Sequence, residues 1–474
     1  MLNFSDCRGC ESVFAFFEQI SAIPHGSHNT SAIADYLCDF AKKRGLWYVK
    51  DAHNNVVIKK PATKGCETRP TVIIQGHTDM VAEKIPTLDI DMTVCGLKLY
   101  RDEDFLRAEG TTLGGDDGVA VAYALALLDA TDIPHPAIEA VFTSDEEVGL
   151  LGAAALDTSV LDGKIMINID SDEEGIFTVG CAGGARADIS LNVDEAPCSA
   201  KTYKLSVSGL IGGHSGVEIG KNRSNAIKLC AQVLSQLTDV RLATLFGGNM
   251  DNAIPRECTA YFACNSDIRD KLDEIRSEII SRIAEYEPSI KIECTPIDCT
   301  EAILDKASTE RVLSLINSIS TGVIAMSADI EGLVESSQNI GIVRLGEGKM
   351  ALTVSVRSSK ANSKRELIAA LADAAKKHSA SFSTRGEYPA WEYKKVSHLR
   401  DVACKVYRDM YGKDAEVIAI HAGLECGIFS DKMPELDCIS IGPDNYSIHT
   451  TEEHLSISST VRVWEFLLNV LKEI

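Results

Sequence analysis

Positive charge is scarce in this chain of 474 residues, where 47 Lys and Arg stand against 69 Asp and Glu for a formal net charge of -22. Polyphosphate binding needs clustered Lys and Arg to displace counterions, and no such cluster occurs, so no nucleic-acid partner is expected. Long apolar runs are missing too. The longest, residues 118–128, is too short for a bilayer and ends at Asp129. The first residues lack both the basic start and the apolar stretch of a secretory signal. No membrane partner is expected, and the cytoplasm is the expected location. Fifteen cysteines are scattered without the spacing of a disulfide scaffold, most of them in apolar segments such as those around Cys230 and Cys438. They read as reduced core thiols. Cys7 and Cys10 form a C-x-x-C pair, which suits a redox site or half a zinc site, but no second pair stands at zinc-finger spacing. What is present is an ordinary globular balance, 45% hydrophobic and 24% charged, enough for roughly two or three domains.

From about residue 71 to 170, short β-branched runs alternate with helical patterns, the signature of a wound α/β sheet. Residues 71–74, 138–142 and 164–169 read as strands and 117–129 as an Ala/Leu/Val helix. Each strand ends in a polar cluster: Gly76-His77-Thr78-Asp79, Ser144-Asp145-Glu146-Glu147, and Asp170. A fourth strand, residues 438–441, is followed by Gly442-Pro443-Asp444 and His449. Open α/β sheets bind ligands beyond the carboxyl ends of their strands, so the four clusters point to one site and the late segment must fold back onto the early sheet. Residues 200–388 carry their own pattern. Strands are expected at 203–207, 259–264, 290–293 and 352–357, and helices at 222–237, 268–286, 309–318 and 363–378, which gives an inserted α+β domain.

Carboxylates with imidazoles, and no cysteine among them, are the donors of a zinc or manganese hydrolytic site. Five candidates stand out: His77, Asp116, Glu147, Asp170 and His449. Asp116 lies in a Gly-rich loop just before a helix, which suits a carboxylate facing two cations. Glu146 and Glu147 are adjacent, so their side chains diverge and cannot share a task. Glu147 is assigned as ligand and Glu146 as the general base that takes a proton from a bridging water, whose pKa two metals would lower from about 15.7 to about 7. Asp79, two residues past His77, is placed to accept the other imidazole N–H.

The strings Gln75-Gly76-His77-Thr78-Asp79-Met80-Val81, Ser144-Asp145-Glu146-Glu147-Val148-Gly149 and Asn168-Ile169-Asp170, with the Asp116 loop and His449, resemble the motif set of dinuclear zinc peptidases. That family includes carnosinases, aminoacylases and glutamate carboxypeptidase. Ile23-Pro24-His25, Gly247-Gly248-Asn249, Asn252-Ala253-Ile254-Pro255-Arg256-Glu257 and His421-Ala422-Gly423-Leu424-Glu425-Cys426-Gly427 look most like its bacterial aminoacyl-histidine dipeptidases. The resemblance implies an α/β catalytic domain with a mixed central sheet flanked by helices, formed by residues 1–199 and 389–474. It also implies a lid domain for substrate binding and dimerisation at 200–388. It implies two Zn2+ per subunit, with Mn2+ or Co2+ as possible substitutes: His77 and Asp170 on one ion, Glu147 and His449 on the other, Asp116 on both. On the lid, His214 resembles the histidine that stabilises the oxyanion or touches substrate. His454 lies five residues past His449 and shares its spacing, but Ser447-Ile448-His449-Thr450 fits the motif better.

A dipeptidase must also hold two charged termini. Arg357 is a candidate for the substrate carboxylate, Asn249 and Asn252 for amide hydrogen bonds, and Glu425, beside His421, for the amino terminus. The expected protein is a homodimeric metal-dependent dipeptidase acting on unblocked dipeptides, Xaa-His among them. An N-acyl amino acid deacylase or a tripeptidase of the same family is the alternative. A non-catalytic relative would have lost ligands or base, and all six are present.

Overall fold

Strands that are apolar at nearly every position bury both faces, which suits a parallel sheet covered by helices. Such strands form the middle of the first unit's sheet, which consists of β1 (Trp47–Lys50), β2 (Val56–Lys60), β3 (Val72–His77), β4 (Ile138–Thr143), β5 (Ile165–Asn168), β6 (Ile176–Cys181), β7 (Glu416–Ile420) and β8 (Asp437–Ser440). They lie in the order β1-β2-β4-β3-β5-β8-β6-β7. All six residues of β3 and of β4 are buried. The central four, β4-β3-β5-β8, run parallel, and β2 and β6 meet them antiparallel. Four carboxyl ends therefore open on one edge. This is a computed structural model, and it describes residues 2–298 and 302–474.

The helix Gly115–Asp129 is buried on nearly every side, as expected for an Ala-rich, apolar helix enclosed by neighbours. It packs on β3 and on the helix Glu11–Ser21. Its Tyr123 ring stacks on Trp464 at 5.6 Å and its hydroxyl donates to the Thr460 carbonyl at 2.6 Å. Burying each large side chain of this core contributes about 1.5–3 kcal/mol. No described helix is long and apolar enough to cross a membrane.

The first unit comprises Met1–Cys181, Tyr393–Ala419 and Leu424–Ile474, and the second comprises Ala182–Glu392 with Ile420–Gly423. The expected boundary at 199/200 is too late. The strand Gly183–Asn192 pairs with Lys349–Ser358 and Ser381–Tyr388, which puts it in the second unit's sheet. His421, expected in the late catalytic segment, also belongs to the second unit. That nine-stranded sheet pairs antiparallel throughout. Alternate residues such as Leu205, Phe262, Leu352, Val354 and Val356 share a core with the helices Ala226–Gln236, Arg269–Ile283, Lys306–Ser318 and Ala361–Lys377. Strand alternation turns Ser355 and Arg357 to the other face.

Cys7 and Cys10 are buried, and burial pushes the Cys7 thiol up to about 11 and the Cys10 thiol higher still. A reactive thiol needs the opposite shift. No described cysteine is in a disulfide.

Candidate active site

The register of the parallel strands brings the clusters together. His77, the last residue of β3, pairs with Thr143 of β4, and Gln75 pairs with Asn168 of β5. The sheet therefore delivers His77, the turn Ser144–Glu147 and Asp170 to one edge. His77 is 1% exposed. Its Nδ1 donates to the Asp79 carbonyl at 2.9 Å, and because a carbonyl only accepts, the proton sits on Nδ1 and Nε2 points its lone pair into the site. Nε2 lies 2.9 Å from Asp116 Oδ1 and 3.8 Å from Asp170 Oδ1. On the other side, His449 Nε2 lies 3.1 Å from Asp116 Oδ2 and 2.9 Å from Glu147 Oε1. Asp116 thus presents one oxygen to each imidazole.

Three donor sets each fall within 4.8 Å: His77, Asp116 and Asp170; Asp116, Glu147 and His449; and His77, Glu146 and Glu147. They hold only carboxylate oxygen and imidazole nitrogen, so they fit divalent cations that take oxygen and nitrogen ligands. Asp117 plays a different part: its Oδ2 accepts from the His77 backbone N–H at 3.2 Å. Gly76 is required there, since a Cβ would overlap Ala120 and the Asp117 carboxylate. His454 is turned away. Its Nδ1 donates to the Glu452 carbonyl at 2.7 Å and its ring stacks on Tyr446.

One expectation changes. The imidazole N–H of His77 goes to the carbonyl of Asp79 rather than its carboxylate, which stands 3.6 Å away. The carboxylate is engaged elsewhere, accepting from Ser27 Oγ at 2.8 Å and from the N–H groups of Glu146 and Glu147 at 2.9 and 3.3 Å. Asp79 therefore shapes the turn that carries both glutamates.

The charges are strongly perturbed. Burial would raise the Asp116 carboxyl, but His449 and His77 hold it well below the usual range. Hydrogen bonds to Asp116 and Glu147 push His449 up to about 10. Burial pushes Asp170 well up and Glu146 up to about 8; Glu425, Asp116 and Glu147 add to the Glu146 shift against the pull of His77.

Glu425 is not where a substrate ammonium would arrive. It is 0% exposed, with Oε2 accepting from Gln75 Nε2 at 2.6 Å and Thr143 Oγ1 at 2.5 Å. Burial pushes it up to about 7, so it reads as a buried support for the strand ends.

In the second unit, the His214 N–H is held by Glu218 Oε2 at 3.0 Å, and its Nδ1 accepts from the N–H groups of Gly216 and Val217 at 3.3 and 3.2 Å. The ring proton must then sit on Nε2. Burial and the nearby Arg357 lower its pKa, which keeps the ring neutral. Arg357 is buried, donates from Nη1 to the Tyr388 hydroxyl at 2.9 Å, and keeps Nε without a partner. His421 Nε2 meets Ser337 Oγ at 2.7 Å, and burial with Arg357 lowers it to about 4. The Asn252 carbonyl accepts from the Ser215 N–H at 2.8 Å. Asn249 stands exposed at a cavity of about 450 Å³ lined also by Phe246, Met250, Arg256 and Arg344. Sequence reasoning missed Ser337 and Tyr388, since nothing in their local pattern marks them.

The chain is 35% identical over 476 residues to the cytosol non-specific dipeptidase of Escherichia coli strain K12, covering 98% of each. Aminoacylhistidine dipeptidase from Vibrio alginolyticus superposes with a TM-score of 0.92 at 33% identity, covering 98% of this chain and 97% of that one. A tripeptidase from Staphylococcus aureus shares the fold at a TM-score of 0.57 and 17% identity, over 98% and 97% of the two chains. The model of peptidase family M20/M25/M40 matches residues 73–473, and the chain belongs to that family.

Proposed function

We propose that this protein is a cytoplasmic, metal-dependent dipeptidase that hydrolyses unblocked dipeptides, Xaa-His among them. The observation that carries the reading is Asp116, whose two carboxylate oxygens face His77 on one side and His449 on the other. The full-length similarity to two dipeptidases supports the substrate class, and the similarity to a cytosol dipeptidase of Escherichia coli supports the location. His77 and Asp170 would hold one ion, Glu147 and His449 the other, and Asp116 both. Two Zn2+ per subunit, in a homodimer, complete the proposal.

Bound divalent ions supply Lewis acidity toward the scissile carbonyl and make water acidic near neutral pH. The chain's own residues do the rest. Glu146 takes the proton of the attacking water and returns it to the leaving amine, a role that contributes about 10²- to 10⁴-fold. Asp79 holds the Glu146–Glu147 turn by two backbone N–H groups, which fixes the backbone that carries base and ligand. His214 is a neutral Nε2–H donor suited to a developing oxyanion. The unpartnered Nε of Arg357 is suited to a substrate carboxylate.

The test is a panel of dipeptides, dipeptide amides, tripeptides and N-acetyl amino acids offered to metal-stripped protein, with zinc, manganese or cobalt added back. Free dipeptides should be cleaved only after metal is restored. Amides, which lack the carboxylate meant for Arg357, should be poor substrates. Preferred cleavage of N-acetyl amino acids or tripeptides would overturn the substrate class.

Metal uptake should also release protons. His449, pushed up to about 10, is protonated at neutral pH in stripped protein, and a cation must displace that proton. Affinity should therefore climb as pH rises and fall as it drops. Calorimetric titrations in buffers of different ionisation enthalpy measure the release directly, and a heat independent of buffer contradicts the ligand set.

A further inference from the structure

The Gly-rich loop that carries Asp116 opens the helix Gly115–Asp129, and the first amides of a helix have no acceptor within it. A carboxylate from far along the chain takes those of Gly115 and Asp116 together with the two amides before them. Glu453 Oε2 accepts from the N–H groups of Leu113 and Gly114 at 2.7 and 3.0 Å, and Oε1 accepts from those of Gly115 and Asp116 at 2.9 and 3.3 Å. Glu453 is 3% exposed. Such convergence needs Gly114 at φ 69°, where a Cβ would also press within 2.9 Å of Met80 Sδ. Four amides aimed at one point form a concave anion seat.

Glu453 is tied equally to the segment of His449. Its own N–H donates to the Thr450 carbonyl at 3.1 Å, closing the turn that directly follows His449. The residues after it, His454–Ser456, pair with Phe105–Ala108, which anchors the turn on a four-stranded sheet. One side chain thus joins the backbone holding Asp116 to the backbone holding His449.

We propose that Glu453 is a positioning residue for the metal site, fixing the aim of Asp116 and its distance from His449 through the amides of residues 113–116. The inference rests on the reading of Asp116 and His449 as ligands. Glu453 itself touches no reacting atom. Glutamine is a sharp probe because it keeps the size and one acceptor oxygen, while its NH2 would face one pair of backbone N–H donors and accept from neither.

Metal-stripped Glu453→Gln protein should bind zinc about 10- to 100-fold more weakly in chelator competition, the usual cost of losing a group that orients ligands. Its cobalt-loaded form should show an altered visible spectrum, and at saturating metal kcat should fall while KM stays within about twofold, a split that a general loss of stability does not produce. Wild-type affinity within about threefold, with an unchanged cobalt spectrum, would overturn the proposal. Asp116→Asn separates the two readings: if it keeps both ions, the ligand assignment is the part that fails. Should Glu453→Gln not fold, hydrogen exchange on metal-free wild-type protein decides. The amides of Leu113 to Asp116 should be protected before any metal is added, and rapid exchange there would overturn the role of Glu453.

Discussion

Replacing Glu146 by alanine should lower kcat by at least about 10²- to 10⁴-fold while both metal ions stay bound. The expectation follows from how the two adjacent glutamates are held. Asp79 accepts from both of their N–H groups, which fixes the turn; the two side chains do not diverge as expected, since a carboxylate oxygen of each lies within 4.8 Å of the other and of a His77 ring nitrogen. Glu147 goes to His449 at 2.9 Å. The Glu146 carboxyl is pushed up to about 8 by burial and then by its acidic neighbours. Bound cations would lower it toward neutrality, the range in which one carboxyl can both take a proton and give it back. Glu146 also lies in a donor set with His77 and Glu147, so the outcome is not trivial. An alanine variant that loses one ion would make Glu146 a ligand, and one that keeps near-normal turnover would remove it from the chemistry.

Asp116→Asn should be the more destructive change, costing both ions together. Asparagine keeps the shape but surrenders the charge that faces two imidazoles, and only one of its two ends can accept. Orienting groups around a metal cost about 10- to 100-fold in affinity when removed, and a ligand shared by two ions should exceed that. Asp170→Asn is the control, because Asp170 belongs only to the donor set of His77 and Asp116 and its loss should empty one position. Metal analysis after gel filtration reads both variants. If Asp116→Asn retains one tightly bound ion, the shared-ligand reading is lost.

The first unit's sheet was legible because its strands are short β-branched runs with polar ends, and a parallel sheet gathers those ends by geometry. The apolar pattern marks β3 only to residue 74, whereas the strand continues through Gln75 and Gly76 to His77. A glycine usually weakens a strand, but here it makes room for Asp117. Five strands of the second unit's nine-stranded sheet went unread: Gly183–Asn192, Arg241–Gly247, Gly322–Met326, Val334–Gly346 and Ser381–Tyr388. Val334–Gly346 shows why, since Ser336, Ser337, Gln338 and Asn339 are all buried. Asn339 pairs with Asn225 and with the Ala253 carbonyl, and Ser337 with His421. Polar residues satisfied by distant segments leave no alternation to read.

The candidate ligands could be named from motif clusters, but their supports could not. The Asp79 carbonyl is backbone, invisible in residue type, and the carboxylate was credited with its hydrogen bond. Glu425 looked like a recognition acid because its burial depends on Gln75, 350 positions away. Glu453 sits in an unremarkable Thr-Thr-Glu-Glu-His stretch, and its amide donors lie 337 to 340 positions earlier.

The pairing of Asp116 with His449 spans 333 positions of chain, and that span sets a clock on biosynthesis. At about 5–20 residues per second, a ribosome takes roughly 15 to 70 s to travel it. Throughout that interval the emerging polypeptide owns the early donors and lacks the imidazole that finishes the second set. Under the proposed ligand set, cutting power is thereby withheld until His449 has been made, and a copy that stops short of it lacks one imidazole of the site.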